Sequence, residues 1–263
     1  MAGIYLHIPF CKQACNYCDF HFSTSMKMKV DFVQAITQEI ELRKDVFANE
    51  FISSVYFGGG TPSLLSKEEL DTIFEKLYKS FTIDADAEIT LEANPDDLTF
   101  EKIQQLKDSP VNRLSIGVQS FRDEDLKYMN RAHTAIEALN SIKMAQDASF
   151  QNITIDLIFG TPGMTNEDWK HNLRKSFALN IPHISSYALT VEEKTPLYYQ
   201  ILNKNIGPVE EQQSADQFKI LMAEMLIHGY EQYEISNFCK DSSYSKHNSS
   251  YWKKGHYLGL GPS

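Results

Sequence analysis

Basic charge is what this chain has least of: its 263 residues carry 25 Lys and Arg against 35 Asp and Glu, a formal net charge of −10. Nothing supplies the broad basic face that a phosphate backbone demands, so nucleic acid is not expected as a partner. Long apolar runs are also missing. The greasiest stretch, Ile220 to Ile227, is broken by Glu224 and falls far short of the roughly 20 residues that cross a bilayer. No membrane span is expected, although peripheral contact with a membrane surface stays open. The opening Met1-Ala2-Gly3-Ile4-Tyr5-Leu6-His7 lacks a basic region followed by an apolar one, which does not read as a secretory signal. A cytoplasmic location follows as the expectation. Glycine and proline number only 12 and 9, which excludes collagen-like and low-complexity chains. Cysteine is scarce too. Of the four, Cys11, Cys15 and Cys18 crowd one short loop while Cys239 lies alone, and in a reducing compartment such clustering points to metal ligation rather than crosslinking.

What is present is a repeated phrase: a short β-rich run, a loop with polar or glycine residues, then a helix with apolar spacing of three and four. Strands are predicted near Tyr5–Ile8, Ser54–Phe57, Glu88–Glu92, Arg113–Val118, Thr154–Phe159 and Ile184–Leu189. Ser66-Lys67-Glu68-Glu69 and Thr134-Ala135-Ile136-Glu137 fit the capping box that opens a helix. Leu70, Ile73, Phe74 and Leu77 form one apolar stripe, and Trp169, Leu173 and Phe177 another; helix packing alone explains both. Alternating strands and helices imply an α/β fold with a parallel sheet. Six units fall short of the eight that close a full barrel, so an open, partial β/α barrel is expected over residues 1–208. Residues 209–263 read differently, as a longer helix stopped by Gly229, then a polar strand and loop extension. The final Gly259-Leu260-Gly261-Pro262-Ser263 is expected to begin a further C-terminal domain.

The loop after the first strand spells C-x3-C-x2-C across Cys11, Cys15 and Cys18. Three thiolates on one loop can bind three irons of an iron–sulfur cube and leave the fourth iron open. A structural zinc is the alternative, with His7 or His21 as the fourth ligand. The pattern, with Tyr17 in the aromatic position before the last cysteine, resembles the signature of the radical S-adenosylmethionine (radical SAM) superfamily. That resemblance implies a 4Fe-4S cluster on Cys11, Cys15 and Cys18, whose open iron is chelated by SAM and whose electron releases a 5′-deoxyadenosyl radical.

In a parallel sheet, ligands bind at the carboxyl ends of the strands. The unusual residues of this chain fall there: Gly58-Gly59-Gly60-Thr61-Pro62 after strand two, Glu92-Ala93-Asn94-Pro95 after strand three, Gln119-Ser120 after strand four, and Asp156 with Gly160-Thr161-Pro162-Gly163 at strand five. No Lys follows Gly60-Thr61, which excludes a P-loop. Together with Tyr5-Leu6-His7-Ile8-Pro9-Phe10-Cys11, these motifs resemble the oxygen-independent coproporphyrinogen III oxidase-like family of radical SAM proteins, along the whole chain. The resemblance implies a SAM site lined by Tyr5, Gly59, Gly60, Thr61, Glu92, Gln119, Arg131 and Asp156. The glycines would meet the SAM amino group, the three polar strand ends would meet ribose hydroxyls, and Arg131 would hold the SAM carboxylate.

Two branches of this family differ in sequence. The oxidase, which decarboxylates porphyrinogen propionates, has a fourth cysteine two residues after the third and a long segment ahead of its Tyr-x-His motif. Here Phe20 fills that position and Tyr5 stands almost at the start. The haem-chaperone branch lacks both features and carries His-Asn-x-x-Tyr-Trp, which this chain matches at His247-Asn248-Ser249-Ser250-Tyr251-Trp252. The resemblance therefore implies a haem carrier with His247 as the haem residue and an unidentified acceptor protein, with the oxidase as the alternative. Cys239 could also ligate haem, or be a buried structural thiol.

Overall fold

The computed structural model describes residues 2–262. Six strands run parallel, each hydrogen-bonded to the next: β1 (Ala2–Ile8), β2 (Phe51–Gly59), β3 (Thr82–Ala93), β4 (Arg113–Gln119), β5 (Asn152–Phe159) and β6 (His183–Ala188). Helices α1 (Lys29–Arg43), α2 (Lys67–Ser80) and α3 (Phe100–Lys107) follow the first three. The pair α4 (Asp123–Tyr128) and α5 (Ala135–Asp147) follows β4, α6 (Asn166–Ala178) follows β5, and α7 (Pro196–Leu202) with α8 (Glu211–Ile227) follows β6. Both expected capping boxes form, at Ser66 and Thr134, and Gly229 ends the α8 segment with φ +77°.

The residues beyond 208 extend the same sheet at both edges. Strands β7 (Glu231–Gln232) and β8 (Asn237–Cys239) add antiparallel beside β6, while β9 (His256–Leu260) adds parallel beside β1. The order across the sheet is β7-β8-β6-β5-β4-β3-β2-β1-β9, with β7 and β9 as unpaired edges, so the barrel stays open. Between β8 and β9 lies the seven-residue helix α9 (Lys246–Trp252).

The two faces of the sheet differ sharply. On the outer face Leu6, Phe57, Leu91, Leu114, Ile155 and Ile184 are fully buried against helix residues such as Ile36, Ile73, Ile142 and Leu173. Each such side chain contributes about 1.5–3 kcal/mol through burial. The inner face carries their alternates. Register places Gly3 beside Ser54, Tyr5 beside Tyr56, Ser54 beside Glu88, Glu92 beside Ser115 and Asp156 beside Ser185. A closed β/α barrel fills that space with branched apolar side chains; here it is lined with hydroxyls, carboxylates and Arg113.

Helix α9 closes part of this polar interior. The Glu88 carboxylate accepts from the Ser245 hydroxyl at 3.2 Å and from the backbone N–H groups of Lys246 and His247 at 3.0 and 3.1 Å, tying the helix start to β3. Arg113, 1% exposed, lies 3.7 Å from Glu88 and donates to Thr154 Oγ1 at 2.6 Å and to Asn152. Ser54, under α9, stands four residues before Gly58 on β2, which is roughly 13 Å along a strand. The helix thus covers the amino-terminal side of the interior, and its Asn248 reaches the cavity that Glu92 and Asp156 line.

Candidate functional site

The cysteine loop is pinned before any metal arrives. Phe10 and Ser23 form a bridge, with Cys11 N–H donating to Ser23 O at 3.0 Å and Ser23 N–H to Pro9 O at 2.7 Å, so residues 11–22 project as a lasso from the end of β1. Its far side is held by Asn16 N–H to Met129 O (3.0 Å), Asn16 Nδ2 to Tyr128 O (2.9 Å) and Asn130 Nδ2 to Ala14 O (2.7 Å). Lys12 adds ion pairs to Asp96, at 2.9 Å, and to Asp97. Cys11, Cys15 and Cys18 are all half-buried free thiols. Burial pushes the Cys11 and Cys18 thiols up, Cys18 to about 11, so these two are held as neutral thiols, and ligating iron would release their protons. Among the described residues no three His, Cys, Asp or Glu side chains are gathered to hold a single metal ion. His7 Nε2 is 2.8 Å from the His21 carbonyl oxygen, so the zinc alternative meets no ready fourth ligand at His7.

The glycine loop fits against the base of this lasso because it has no side chains there. Gly60 N–H donates to Ile8 O at 2.8 Å, and a Cβ on Gly60 would stand 2.7 Å from the Ile8 and Phe10 carbonyl oxygens. Gly59 has φ +101°, a backbone conformation open to glycine and costly for other residues. Thr61, 3% exposed, donates its hydroxyl to Cys11 Sγ at 3.5 Å and accepts from Asn94 Nδ2 at 3.1 Å.

Arg131 binds the loops together. Nη1 donates to Cys15 Sγ at 3.3 Å, and Nη2 donates to Asn94 Oδ1 at 2.6 Å and to the Gly117 carbonyl at 2.9 Å. Its buried Nε has no acceptor among the described residues. A carboxylate is the group that would complete such a guanidinium, so the residues present fit the methionyl end of SAM.

Glu92 and Asp156 face the interior from β3 and β5. Tyr56 donates its hydroxyl to Glu92 Oε1 at 2.8 Å. Burial, then the Asp156 charge, pushes Glu92 up to about 7 despite bonds from Tyr56 and the Gly59 backbone. Burial likewise raises Asp156 to about 6, against the pull of Ser185, Arg131 and Arg113. No cation within salt-bridge distance pairs with either among the described residues, which leaves acceptors for hydroxyl or ammonium donors. Tyr5 stacks on Tyr56 with ring centroids 6.0 Å apart. Gln119, 9% exposed, ends β4 with φ +63°. A small cavity of about 50 Å³ lies inside this rim, between Tyr56, Glu92, Asp156, Tyr187 and Asn248 of α9, room for about one water molecule. The eight expected SAM residues and the three cysteines thus converge on one end of the sheet.

His247 borders this group from α9, its ring centroid 6.4 Å from that of Tyr5. It is 1% exposed, its Nδ1 is 3.0 Å from Ser54 Oγ, its Nε2 is 3.1 Å from the Tyr251 hydroxyl, and its ring lies 5.0 Å from that of Tyr56. Both ring nitrogens are engaged, so in this arrangement His247 docks α9 on the sheet. Cys239, 1% exposed, sits within β8 and pairs with β6 and β7, as a structural thiol would. Reading the sequence missed Tyr56, Glu88, Arg113 and Ser185, whose signal was polar alternation inside strands.

Comparison with known proteins agrees with this geometry. Residues 5–175 match the Radical SAM superfamily. The chain is 38% identical over 263 residues to the protein named Heme chaperone HemW of Bacillus subtilis, covering 99% of this chain and 69% of that one. It is 36% identical over 264 residues to Heme chaperone HemW of Escherichia coli, covering 98% and 68%. Among solved structures, the Escherichia coli coproporphyrinogen III oxidase HemN, described as a radical SAM enzyme, superimposes with a TM-score of 0.84 at 26% identity, over 100% of this chain and 63% of that one. A three-cysteine lasso, a glycine loop against it, a carboxylate rim and chain-long identity all agree: this chain belongs to the radical SAM superfamily and, within its HemN-like branch, to the HemW family.

Proposed function

We propose that the protein is a haem carrier of the radical SAM type, which binds haem and passes it to an acceptor protein in the cytoplasm. The observation that carries this reading is the identity of 36–38% along nearly the whole chain with proteins named heme chaperone. Phe20, two residues after Cys18 and 66% exposed, supports it, because a phenyl ring cannot replace the oxidase's extra thiolate. No helix among the described residues is long and apolar enough to cross a membrane.

In this reading Cys11, Cys15 and Cys18 hold a 4Fe-4S cluster, and Tyr5, Gly59, Gly60, Thr61, Glu92, Gln119, Arg131 and Asp156 hold SAM. When bound, the cluster supplies a low-potential electron to the sulfonium of SAM. The protein's own part is electrostatic and geometric. Thr61 and Arg131 donate to the Cys11 and Cys15 sulfurs, contacts that withdraw charge from a thiolate and tune its potential. Glu92 and Asp156 orient the ligand by accepting from its donors, with the stacked Tyr5 and Tyr56 rings beside them on β1 and β2.

The likeness to HemN keeps one rival in view, oxidation of coproporphyrinogen with the same cofactors. The test is anaerobic reconstitution followed by haem titration and, separately, incubation with coproporphyrinogen III, SAM and a reductant. Bound haem with no protoporphyrinogen is expected. Protoporphyrinogen in that assay overturns the carrier reading.

A further inference from the structure

Gly58 is the glycine at the end of β2 that the cysteine lasso does not explain. A Cβ there would stand 2.9 Å from Tyr5 Cε2 and from Tyr56 Cε1, and 3.1 Å from Glu92 Oε1. Its bare backbone lets two rings and a carboxylate close over one strand. Tyr56 comes two residues earlier, on the same face of β2, and its register partner on β3 is Thr90, two residues before Glu92. The Tyr56 hydroxyl reaches diagonally across the pair and donates to Glu92 Oε1 at 2.8 Å. An ionised carboxylate can accept about four hydrogen bonds. Tyr56 and the Gly59 backbone supply two of them from β2, and the remaining lone pairs are those left to a ligand.

No other side chain donates to Glu92 among the described residues. Asp156 on β5 opposes its charge, and Tyr5 on β1, Tyr187 on β6 and Tyr251 on α9 stand near it without a hydrogen bond. Arg113 on β4 lines the same cavity but gives its donors to Thr154 and Asn152. His247, its ring 5.0 Å from that of Tyr56, is kept neutral by burial, which lowers it to about 4. Burial, with the Glu92 and Asp156 charges beside it, raises the Tyr56 hydroxyl, so it stays a donor throughout.

We propose that Tyr56 is a positioning residue of the SAM site: its hydroxyl holds the Glu92 carboxylate for the donors of SAM and acts on the ligand through Glu92. The inference rests on the SAM site proposed above and adds to it a residue of β2. A donor bonded to a carboxylate favours the charged form. Without it, burial and Asp156 are less opposed, and Glu92 takes up its proton at higher pH.

The test is SAM affinity by calorimetry on anaerobically reconstituted protein, for the native chain, Tyr56→Phe, Glu92→Gln and the double variant. Phenylalanine keeps the ring stack and removes only the hydroxyl, so cluster content is expected to stay native. A hydrogen bond to a charged group shifts an equilibrium roughly tenfold. Tyr56→Phe should therefore bind SAM roughly tenfold more weakly at about pH 6, where the carboxylate is the minor form. That deficit should shrink to about twofold or less by about pH 8.5, where both proteins are largely ionised at Glu92. The α-amino group of SAM titrates at about pH 7.7–8.0 alike for both proteins, so the ratio of affinities isolates the carboxylate. In the Glu92→Gln background the same change should alter affinity by less than about twofold. No deficit, a deficit constant across the pH range, or one that persists in full in the Glu92→Gln background overturns the positioning role and leaves the SAM site standing. A native protein that binds no SAM at any pH overturns the site itself, and the role of Tyr56 with it.

Discussion

Replacing Glu92 by Gln should stabilise the ligand-free protein, and only above a definite pH. Burial and the nearby Asp156 raise Glu92 from 4.5 to about 7, so between those values the folded chain holds a proton that the unfolded chain has released. The contribution of Glu92 to folded stability is therefore greatest below pH 4.5, falls as pH rises through the window and is level above 7. A shift of 7 − 4.5 = 2.5 pH units corresponds to about 3 kcal/mol as an upper bound. Partial exposure of Glu92 and its coupling to Asp156 reduce this to roughly 1–3 kcal/mol. Glutamine is neutral throughout and keeps an oxygen for the Tyr56 hydroxyl, so it escapes the fall. Thermal unfolding of cluster-free protein should show nearly equal midpoints at pH 5 and a variant higher by about 2–10 °C at pH 8. SAM affinity should drop in the same variant. A gap that stays constant between pH 5 and 8, or a variant less stable at pH 8, would refute the argument that this carboxylate is held against its own ionisation.

Alanine at any of Cys11, Cys15 or Cys18 should abolish an oxygen-sensitive cluster, read by iron and sulfide content and by EPR; stoichiometric zinc in the native protein, with no cluster after anaerobic reconstitution, would falsify the assignment. Asp156→Ala should weaken SAM binding by about 1–3 kcal/mol, the usual loss for a charged hydrogen bond, while the cluster survives; native SAM affinity by calorimetry in both this variant and Gln119→Ala would remove the ribose role. His247→Ala should cost about 2–4 kcal/mol in urea unfolding, since it empties a buried volume and strands the Ser54 hydroxyl. An unchanged transition would show that α9 is not held on the sheet by this residue.

The site was legible where chemistry interrupts a local pattern. Cys11, Cys15 and Cys18 stand out by spacing, and Glu92 and Gln119 stand near the ends of β3 and β4, whereas Asp156, expected at a strand end, lies in the middle of β5. The rest of the interior was written in the same strands and is harder to see. Arg113-Leu114-Ser115-Ile116-Gly117-Val118-Gln119 alternates polar and apolar, whereas a parallel strand covered on both faces reads as a continuous apolar run. That alternation announces a polar chamber, but single residues such as Arg113 and Ser115 look like ordinary strand positions. Partners distant in the chain left no local trace at all. His247 meets Ser54 across 193 residues, and β9 is a strand because β1 offers it an edge. The helix opened by Thr165 was likewise read only through its apolar stripe, because Asp168 replaces the usual Glu in its capping box.

The pairing of β9 with β1, in which Ala2 aligns with His256, sets the order in which the molecule can be assembled. Strands β1 to β6 add one beside the next in the order of synthesis, with short separations, and can assemble as they emerge. The strand that carries the cysteine lasso nevertheless keeps one bare edge until residues 256–260 arrive, and the polar chamber stays open to water until α9 brings its backbone amides to Glu88. During that interval β1, with Ile4, Leu6 and Ile8 alternating along it, is a template on which another chain can pair. A ribosome stalled before residue 246 would therefore release a chain able to present its cysteines but unable to shield its own first strand, and self-association would compete with cluster loading.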